Sequence, residues 1–131
     1  MSKVLIAEDN PVNRELLREL LEIHGHSVTE ACDGQQALDL LEKSPSDILL
    51  IDLDMPVLDG FATVRKIRAT PGLASMPVLA VTAYAMQGDR EKVLASGFDG
   101  YLSKPINACE LMKEMDRLLA TPRARGASPN Q

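Results

Sequence analysis

The stretch that decides the fold is DILLIDLDMPVLDG, residues 47–60. Its run Ile48-Leu49-Leu50-Ile51 lacks the alternation of apolar and polar residues, which is typical of a central strand covered on both faces. The run ends in Asp52, and Pro56 and Gly60 follow in a loop before helical spacing begins again. We therefore expect this strand in the middle of a parallel sheet, with Asp52 at its carboxyl end.

Working outward from this strand, short apolar runs alternate with stretches of helical spacing. The alternation predicts a (βα)5 doubly wound α/β fold, in which a five-stranded parallel sheet carries helices on both faces. The expected strands lie at 4–7, 27–31, 48–51, 78–81 and about 101–102, and the expected helices at about 11–24, 34–43, 61–69, 88–96 and from 107 onward. The 3.6-residue spacing of the first helix predicts an inward stripe formed by Leu16, Leu17, Leu20, Leu21 and Ile23.

Length and composition restrict the possible classes of protein. The 131 residues are enough for one domain, which we expect at 1–120, and the Pro-, Ala- and Ser-rich residues 121–131 read as a disordered tail or a truncated linker. A formal net charge of -5 argues against a nucleic-acid partner. No apolar run approaches the roughly 20 residues that would insert into a membrane. With no secretory pattern at the start, the expected location is cytoplasmic. Cys32 and Cys109, far apart and in no metal-like spacing, are expected to be buried thiols.

Polar side chains stand at the carboxyl ends of four expected strands. They are Glu8 and Asp9 after the first strand, Asp52 after the third, Thr82 after the fourth and Lys104 after the fifth. The carboxyl ends of parallel strands meet at one edge of a doubly wound sheet, so these groups should converge there. Three close carboxylates repel one another unless a cation compensates, and an all-oxygen set favours Mg²⁺. The sequence therefore predicts a magnesium site formed by Glu8, Asp9 and Asp52.

A carboxylate placed in this way can act as a nucleophile toward phosphorus and form an acyl phosphate. Lys104 and the metal would neutralise the phosphoryl oxygens, while the hydroxyl of Thr82 could bind one of them. Plainer interpretations exist for two of these residues. Lys104 before Pro105 could simply belong to a turn, and Thr82 could satisfy only the local backbone.

Four segments carry a resemblance to a known family. VLIAEDN contains the acidic pair, DILLIDLDMPVLDG the acceptor, AVTAYA contains Thr82, and GYLSKP contains Lys104. In this order they resemble the receiver domains of two-component response regulators, from about residue 3 to residue 119. VTAYAMQGDREKVLASGFDGYLSKPI is similar to single-domain regulators of the cell-division type and to receiver modules of hybrid kinases.

The resemblance implies a function and further roles. Asp52 would take a phosphoryl group from a histidine kinase or a histidine phosphotransfer protein, and the chain would signal to a downstream protein without an enzymatic or DNA-binding output domain. The backbone carbonyl of Asp54 would be a metal ligand, and Thr82 and Tyr101 would switch together. Asp54, two residues after the acceptor, departs from the family pattern by adding a fourth acid, and together with Tyr84 it is expected to set the lifetime of the phosphoryl group. The surface formed by the last two helices and the last strand would contact partner proteins. The protein would be a monomer or a weak, phosphorylation-dependent dimer.

Two other classes of function remain open on the sequence. Asp52-Leu53-Asp54 also resembles the nucleophile signature of haloacid-dehalogenase-type phosphatases, although those enzymes place further acids downstream and this acidic pair lies upstream. A pure interaction module could keep the fold without using phosphorylation. The intact acidic cluster argues against that module, because unused packed charge costs stability.

Overall fold

The structure is a computed structural model that describes residues 2–53, 59–82 and 89–120. The strands are β1 (Lys3–Ala7), β2 (Ser27–Ala31), β3 (Ile48–Asp52), β4 (Val78–Thr82) and β5 (Gly100–Ser103). The helices are α1 (Pro11–Ile23), α2 (Gly34–Lys43), α3 (Gly60–Arg68), α4 (Asp89–Ala95) and α5 (Ala108–Ala120). All the expected elements are present, and each predicted boundary lies within one residue of the observed one.

The described strands form one parallel sheet in the order β2-β1-β3-β4-β5. β3 lies in the middle, as its unbroken apolar run predicted, and all its residues are buried. β2, the next strand in the chain, pairs with one side of β1, and β3 pairs with the other side of β1. This reversal between β1 and β3 is a topological switch point, where doubly wound folds place their sites.

Helices cover both faces of the sheet and enclose two apolar clusters. One cluster joins alternate strand residues to α2, α3 and α4, and it includes Leu5, Leu49, Ile51, Ala37, Leu41, Val64, Ile67 and Val93. The other joins the intervening strand residues to α1 and α5, and it includes Val4, Ile6, Leu50, Leu17, Leu21, Leu111 and Met115. The alternation follows from the two-residue period of a strand. The predicted α/β fold with helices on both faces is confirmed.

Side chains cap the starts of four helices. Oδ1 of Asn10 accepts two backbone N–H groups in the first turn of α1, at 2.9 and 3.1 Å. Asp33, Asp59 and Asn107 each accept one backbone N–H group in the first turn of α2, α3 and α5. A cap of this kind contributes about 1 kcal/mol by satisfying a donor that has no partner within the helix. The caps therefore fix where these four helices begin, and so where the loops that precede them end.

The predicted inward stripe of α1 is wrong at two positions. Leu17 and Leu21 are buried and Leu20 is half-buried, whereas Leu16 is 47% exposed and Ile23 is 77% exposed. Successive helical residues are rotated by about 100°, which places Leu16 about 100° from Leu17 and Ile23 about 200° from Leu21, away from the face of α1 that packs on the sheet. The face of α1 that packs on the sheet is narrower than the count of apolar residues suggested.

The prediction that both cysteines are buried is also wrong. Cys32 and Cys109 are free and exposed. Cys32 lies just beyond β2, where the chain has left the sheet, and Cys109 lies in the first turn of α5. Leu111 and Met115 form the buried face of α5, and Cys109 is rotated by about 200° from Leu111. Position within each element, rather than the apolar character of the thiol, sets their exposure.

The edge of the sheet at the amino ends of β4 and β5 is held by Arg68, at the end of α3. Its guanidinium donates to the carbonyls of Ala74, Met76 and Gly97 at 2.7–3.1 Å. It also donates to Oδ2 of Asp99 at 2.8 Å. One side chain thereby joins α3, the segment before β4 and the segment before β5.

Some predictions fall on residues that the structure does not describe. Asp54, Tyr84 and the expected tail at 121–131 lie outside the described residues. In the part of the chain that is described, no helix has the length and apolar character needed to cross a membrane.

Candidate functional site

The predicted strand-end groups converge at the carboxyl edge of the sheet. Glu8 and Asp9 follow β1 directly, and Asp52 is the last residue of β3. One carboxylate oxygen from each of the three lies within 4.8 Å of the others. Glu8 and Asp52 are buried, and Asp9 is exposed. The switch point between β1 and β3 thus carries an acidic cluster with one side open to solvent.

Lys104, the residue directly after β5, extends its side chain into this cluster. Its Nζ donates to Oε1 of Glu8 at 2.8 Å and to Oδ2 of Asp52 at 3.0 Å. Its backbone N–H donates to the carbonyl of Thr82 at 2.8 Å, which fixes the start of the side chain at the end of β4. The lysine lies far along the chain from both carboxylates. Its side chain therefore makes long-range contacts that a turn before Pro105 alone would not require.

Burial dominates the electrostatics of Glu8. Desolvation by burial raises the pKa of Glu8 above 4.5, and its hydrogen bonds from Lys104 and from the backbone N–H of Asn10 offset this only in part. The neighbouring carboxylate of Asp52 adds to the rise in the pKa of Glu8. An added cation beside Glu8 would act in the opposite direction, because positive charge favours the ionised carboxylate.

The same surroundings also shift the pKa of Lys104, which carries the opposite charge. Burial alone would lower its pKa, but the hydrogen bonds and negative charges of Glu8 and Asp52 outweigh burial and raise the pKa above 10.5. Lys104 is therefore charged throughout the neutral range. Because one ammonium faces three carboxylates, the ionised cluster still carries an excess of negative charge.

The donor set fits a hard divalent cation. All three candidate ligands are carboxylates, their oxygens are close enough to share one ion, and the excess negative charge matches a dication. The exposed Asp9 leaves the site open to water, which Mg²⁺ retains when it binds proteins. The described residues therefore could hold Mg²⁺ through Glu8, Asp9 and Asp52.

Thr82 and Tyr101 lie on neighbouring strands. Thr82 is buried at the end of β4, and Tyr101 on β5 is opposite Ala80. Ala80 and Tyr101 both pack on the cluster beneath α3 and α4. Thr82 is two residues beyond Ala80, so its side chain points to that same face of the sheet. The two residues thus have the placement that a coupled movement would need.

Three residues that the sequence interpretation missed support the cluster. The backbone N–H of Asn10 donates to Oε2 of Glu8 at 3.1 Å, and Nη1 of Arg14 donates to the carbonyl of Glu8 at 2.8 Å. A Cβ on Gly60 would lie 3.0 Å from the backbone oxygen of Asp52, so the start of α3 packs tightly against the strand end. The Asn10-Pro11 start of α1 could have indicated the first contact, whereas no local pattern distinguishes Arg14 from Arg18.

A cavity of about 100 Å³ lies next to the cluster, between α1 and the segment after β5. Glu8 and Lys104 form its polar side, and its other lining residues are Asn13, Leu16, Leu17, Pro105 and Ile106. Apolar surface therefore adjoins the charged site directly.

A doubly wound sheet with an acidic, lysine-bridged cluster at its switch point defines a class of α/β protein whose site could hold a hard cation. The family within that class is shown by sequence. The chain belongs to the response regulator receiver domain family, whose profile matches residues 4–116. This membership confirms the resemblance and the two-component signalling class.

Similar proteins include both long and short chains. The chain is 46% identical to hybrid signal transduction histidine kinase I of Dictyostelium discoideum; the match covers 80% of this chain and 6% of that protein's length. It is 38% identical to the polar-differentiation response regulator DivK of Brucella anthropi, with 79% of this chain and 85% of DivK covered. The chain thus spans a small part of one relative and most of the other.

Solved structures share the fold. The receiver domain of sensor histidine kinase PA1611 from Pseudomonas aeruginosa has a TM-score of 0.85 and 39% identity, over 92% of this chain and 98% of that one, and it holds a magnesium ion in its active site cleft. The chemotaxis response regulator CheY4 of Vibrio cholerae has a TM-score of 0.85 and 32% identity, over 91% and 99%.

Proposed function

We propose that Asp52 accepts a phosphoryl group, in a reaction that requires Mg²⁺ held by Glu8, Asp9, Asp52 and the backbone carbonyl of Asp54. The observation that carries the proposal is the position of Lys104, whose ammonium bridges Glu8 and Asp52 at the carboxyl edge of the sheet. That position provides positive charge beside the carboxylate that would become phosphorylated. The magnesium ion in the PA1611 receiver domain supports the choice of metal.

The reaction is a transfer from phosphohistidine to carboxylate. An oxygen of Asp52 forms a bond to phosphorus while the phosphorus–nitrogen bond of the donor breaks, and the imidazole leaves with the electron pair. When bound, Mg²⁺ supplies positive charge to the phosphoryl oxygens. Lys104 would supply further positive charge, exchanging its bond to Asp52 for one to the phosphoryl group. The acceptor is consumed once per cycle, so the chain is a substrate of its kinase rather than an enzyme with an output reaction.

The product can be read out by Thr82 and Tyr101. A phosphoryl group adds up to about two negative charges and new acceptor oxygens. The hydroxyl of Thr82 would bind one of them, and Tyr101, on the same face of the neighbouring strand, would move with it. The surface formed by the last two helices and the last strand then presents the change to a downstream protein. Asp54 and Tyr84 set how long the phosphoryl group persists.

The donor is a histidine kinase or a histidine phosphotransfer protein that acts in the cytoplasm. The chain is a monomer, or a weak dimer when phosphorylated, and it binds no nucleic acid and inserts into no membrane. Its similarity to DivK and to a hybrid kinase supports this class of donor. Its family membership favours this function over the phosphatase.

The test is the intact mass of the protein after incubation with acetyl phosphate, with and without Mg²⁺. We expect the wild type to gain one phosphoryl group only with Mg²⁺, and hydroxylamine, which cleaves acyl phosphates, to remove it. Asp52→Asn should gain none, whereas Asp39→Asn, which changes an exposed carboxylate on α2, should behave as the wild type.

Three outcomes would contradict the proposal. Labelling of the Asp52→Asn protein would place the acceptor elsewhere. Repeated turnover of a phosphate monoester would favour the phosphatase. A wild type that neither gains mass nor binds Mg²⁺ would favour the interaction module.

A further inference from the structure

Arg14, on the second turn of α1, connects the loop that follows β1 to the neighbouring strand. Its Nη1 donates to the backbone carbonyl of Glu8 at 2.8 Å, and its Nε donates to Oε1 of Glu30 on β2 at 3.0 Å. The Arg14 side chain is 18% exposed and that of Glu30 is 27% exposed, so both are largely shielded. One guanidinium therefore fixes α1, β2 and the end of β1 relative to one another.

The carbonyl that Arg14 contacts belongs to the peptide group that joins Glu8 to Asp9. Because a peptide group is planar, holding its oxygen also sets the direction in which the chain enters Asp9. The carboxylate of Glu8 is already held by Lys104 and by the backbone N–H of Asn10. For Asp9, no side-chain hydrogen bond occurs among the residues that the structure describes, so the backbone alone positions its exposed carboxylate there.

We propose that Arg14, anchored by Glu30, is a positioning residue that holds the Glu8–Asp9 peptide group so that the Asp9 carboxylate is placed to bind the metal. The inference rests on the proposed function, because it assigns a supporting residue to the same site. Residues that orient metal ligands from behind in this way typically contribute about 10-fold or more to metal affinity.

A positioning role of Arg14 and a purely electrostatic role predict opposite changes in Mg²⁺ affinity when Arg14 is replaced. If Arg14 acted only through its charge, removing that charge beside an acidic site would strengthen cation binding. If Arg14 acts by position, removing it weakens cation binding. Arg18 provides a matched control, because it lies on the same helix and pairs with the same Glu30 but also with Glu22, and it does not contact the carbonyl of Glu8.

The experiment measures the Mg²⁺ dissociation constant by titration calorimetry for the wild type, Arg14→Gln, Arg14→Lys and Arg18→Gln, at matched ionic strength. We expect Arg14→Gln to bind Mg²⁺ about 10-fold more weakly and Arg18→Gln to stay within about twofold of the wild type. Arg14→Lys should also bind more weakly, because an ammonium lacks the fixed fork that reaches two acceptors at once. Equal or tighter binding by Arg14→Gln, or full affinity in Arg14→Lys, would overturn the proposal.

A second measurement needs no metal. The amide nitrogen of Asp9 shares its peptide group with the Glu8 carbonyl, so its ¹⁵N resonance should shift in Arg14→Gln and Arg14→Lys and stay in place in Arg18→Gln. An unmoved Asp9 resonance in both Arg14 variants would contradict the proposal. The experiments separate the two proposals. A wild type that neither binds Mg²⁺ nor gains a phosphoryl group contradicts the proposed function. A wild type that does both, with an Mg²⁺ affinity equal to that of Arg14→Gln, contradicts only the role of Arg14.

Discussion

The ionisation of Glu8 affects the stability of the metal-free protein. Because burial raises its pKa above 4.5, the folded state binds this proton more tightly than the unfolded state does. Its contribution to stability is therefore fully present below pH 4.5 and is lost as the pH rises through the raised value. The ionised carboxylate of Glu8 thus costs stability at neutral pH in the metal-free protein.

Replacing Glu8 by Gln should remove this dependence. In the presence of EDTA, we expect the free energy of unfolding of Glu8→Gln to gain on that of the wild type between pH 4.5 and neutral pH, measured by urea unfolding at both values. Glu8→Gln also alters the bonds from Asn10 and Lys104, and only the part of that cost that does not depend on pH cancels in the comparison. A constant difference between the two proteins across this range would show that the raised pKa of Glu8 does not govern stability.

At the scale of single elements, α1 illustrates how burial rather than apolar character determines a contribution to stability. Leu21 is fully buried against the sheet, whereas Ile23, two residues later, is 77% exposed. We expect Leu21→Ala to lower the free energy of unfolding by about 2–5 kcal/mol and Ile23→Ala to lower it by about 0.5 kcal/mol or less. Urea unfolding of both variants checks this, and equal losses would mean that the predicted five-residue stripe is correct after all.

The elements were largely predictable because their signals are local. The run 48–51 indicated the central strand, and the polar residue after each strand indicated the edge where the site lies. Contacts between distant residues were less accessible. The pairing of Lys104 with both carboxylates depends on where β1 and β5 lie relative to the central β3, and the apolar pattern does not encode those two positions. The contact of Arg14 with Glu8 depends on how α1 is rotated about its own axis above β2. The same rotation leaves Leu16 exposed, although the spacing predicted that it would be buried.

Across the whole molecule, the Arg68–Asp99 ion pair and the candidate site lie at opposite edges of the sheet. Arg68 and Asp99 hold the amino ends of β4 and β5, with side chains 16% and 13% exposed. Oδ2 of Asp99 also accepts the backbone N–H of Val78 at 2.8 Å. Glu8, Asp52 and Lys104 lie at the carboxyl ends. A change at the first edge should therefore affect folding without altering the reaction.

We expect Arg68→Ala to lower the free energy of unfolding by about 3 kcal/mol, because it leaves the Asp99 carboxylate and several carbonyls with fewer partners. Arg65→Ala, which removes an exposed arginine from the same helix, should change it by about 0.5 kcal/mol or less. Urea unfolding gives both values, and intact mass after acetyl phosphate treatment gives the labelling. Reduced labelling of folded Arg68→Ala protein would show that the two edges are coupled.

The bond between Lys104 and Glu8 spans 96 residues, and this separation has a consequence for biosynthesis. A ribosome delivers Glu8, Asp9 and Asp52 before it delivers Lys104, so the nascent chain carries these acids before it carries their compensating amine. Until β5 emerges and pairs with β4, the cluster exists without the ammonium that bridges it. The lysine-bridged form of the cluster is thus acquired only after β5 has been synthesised and has joined the sheet.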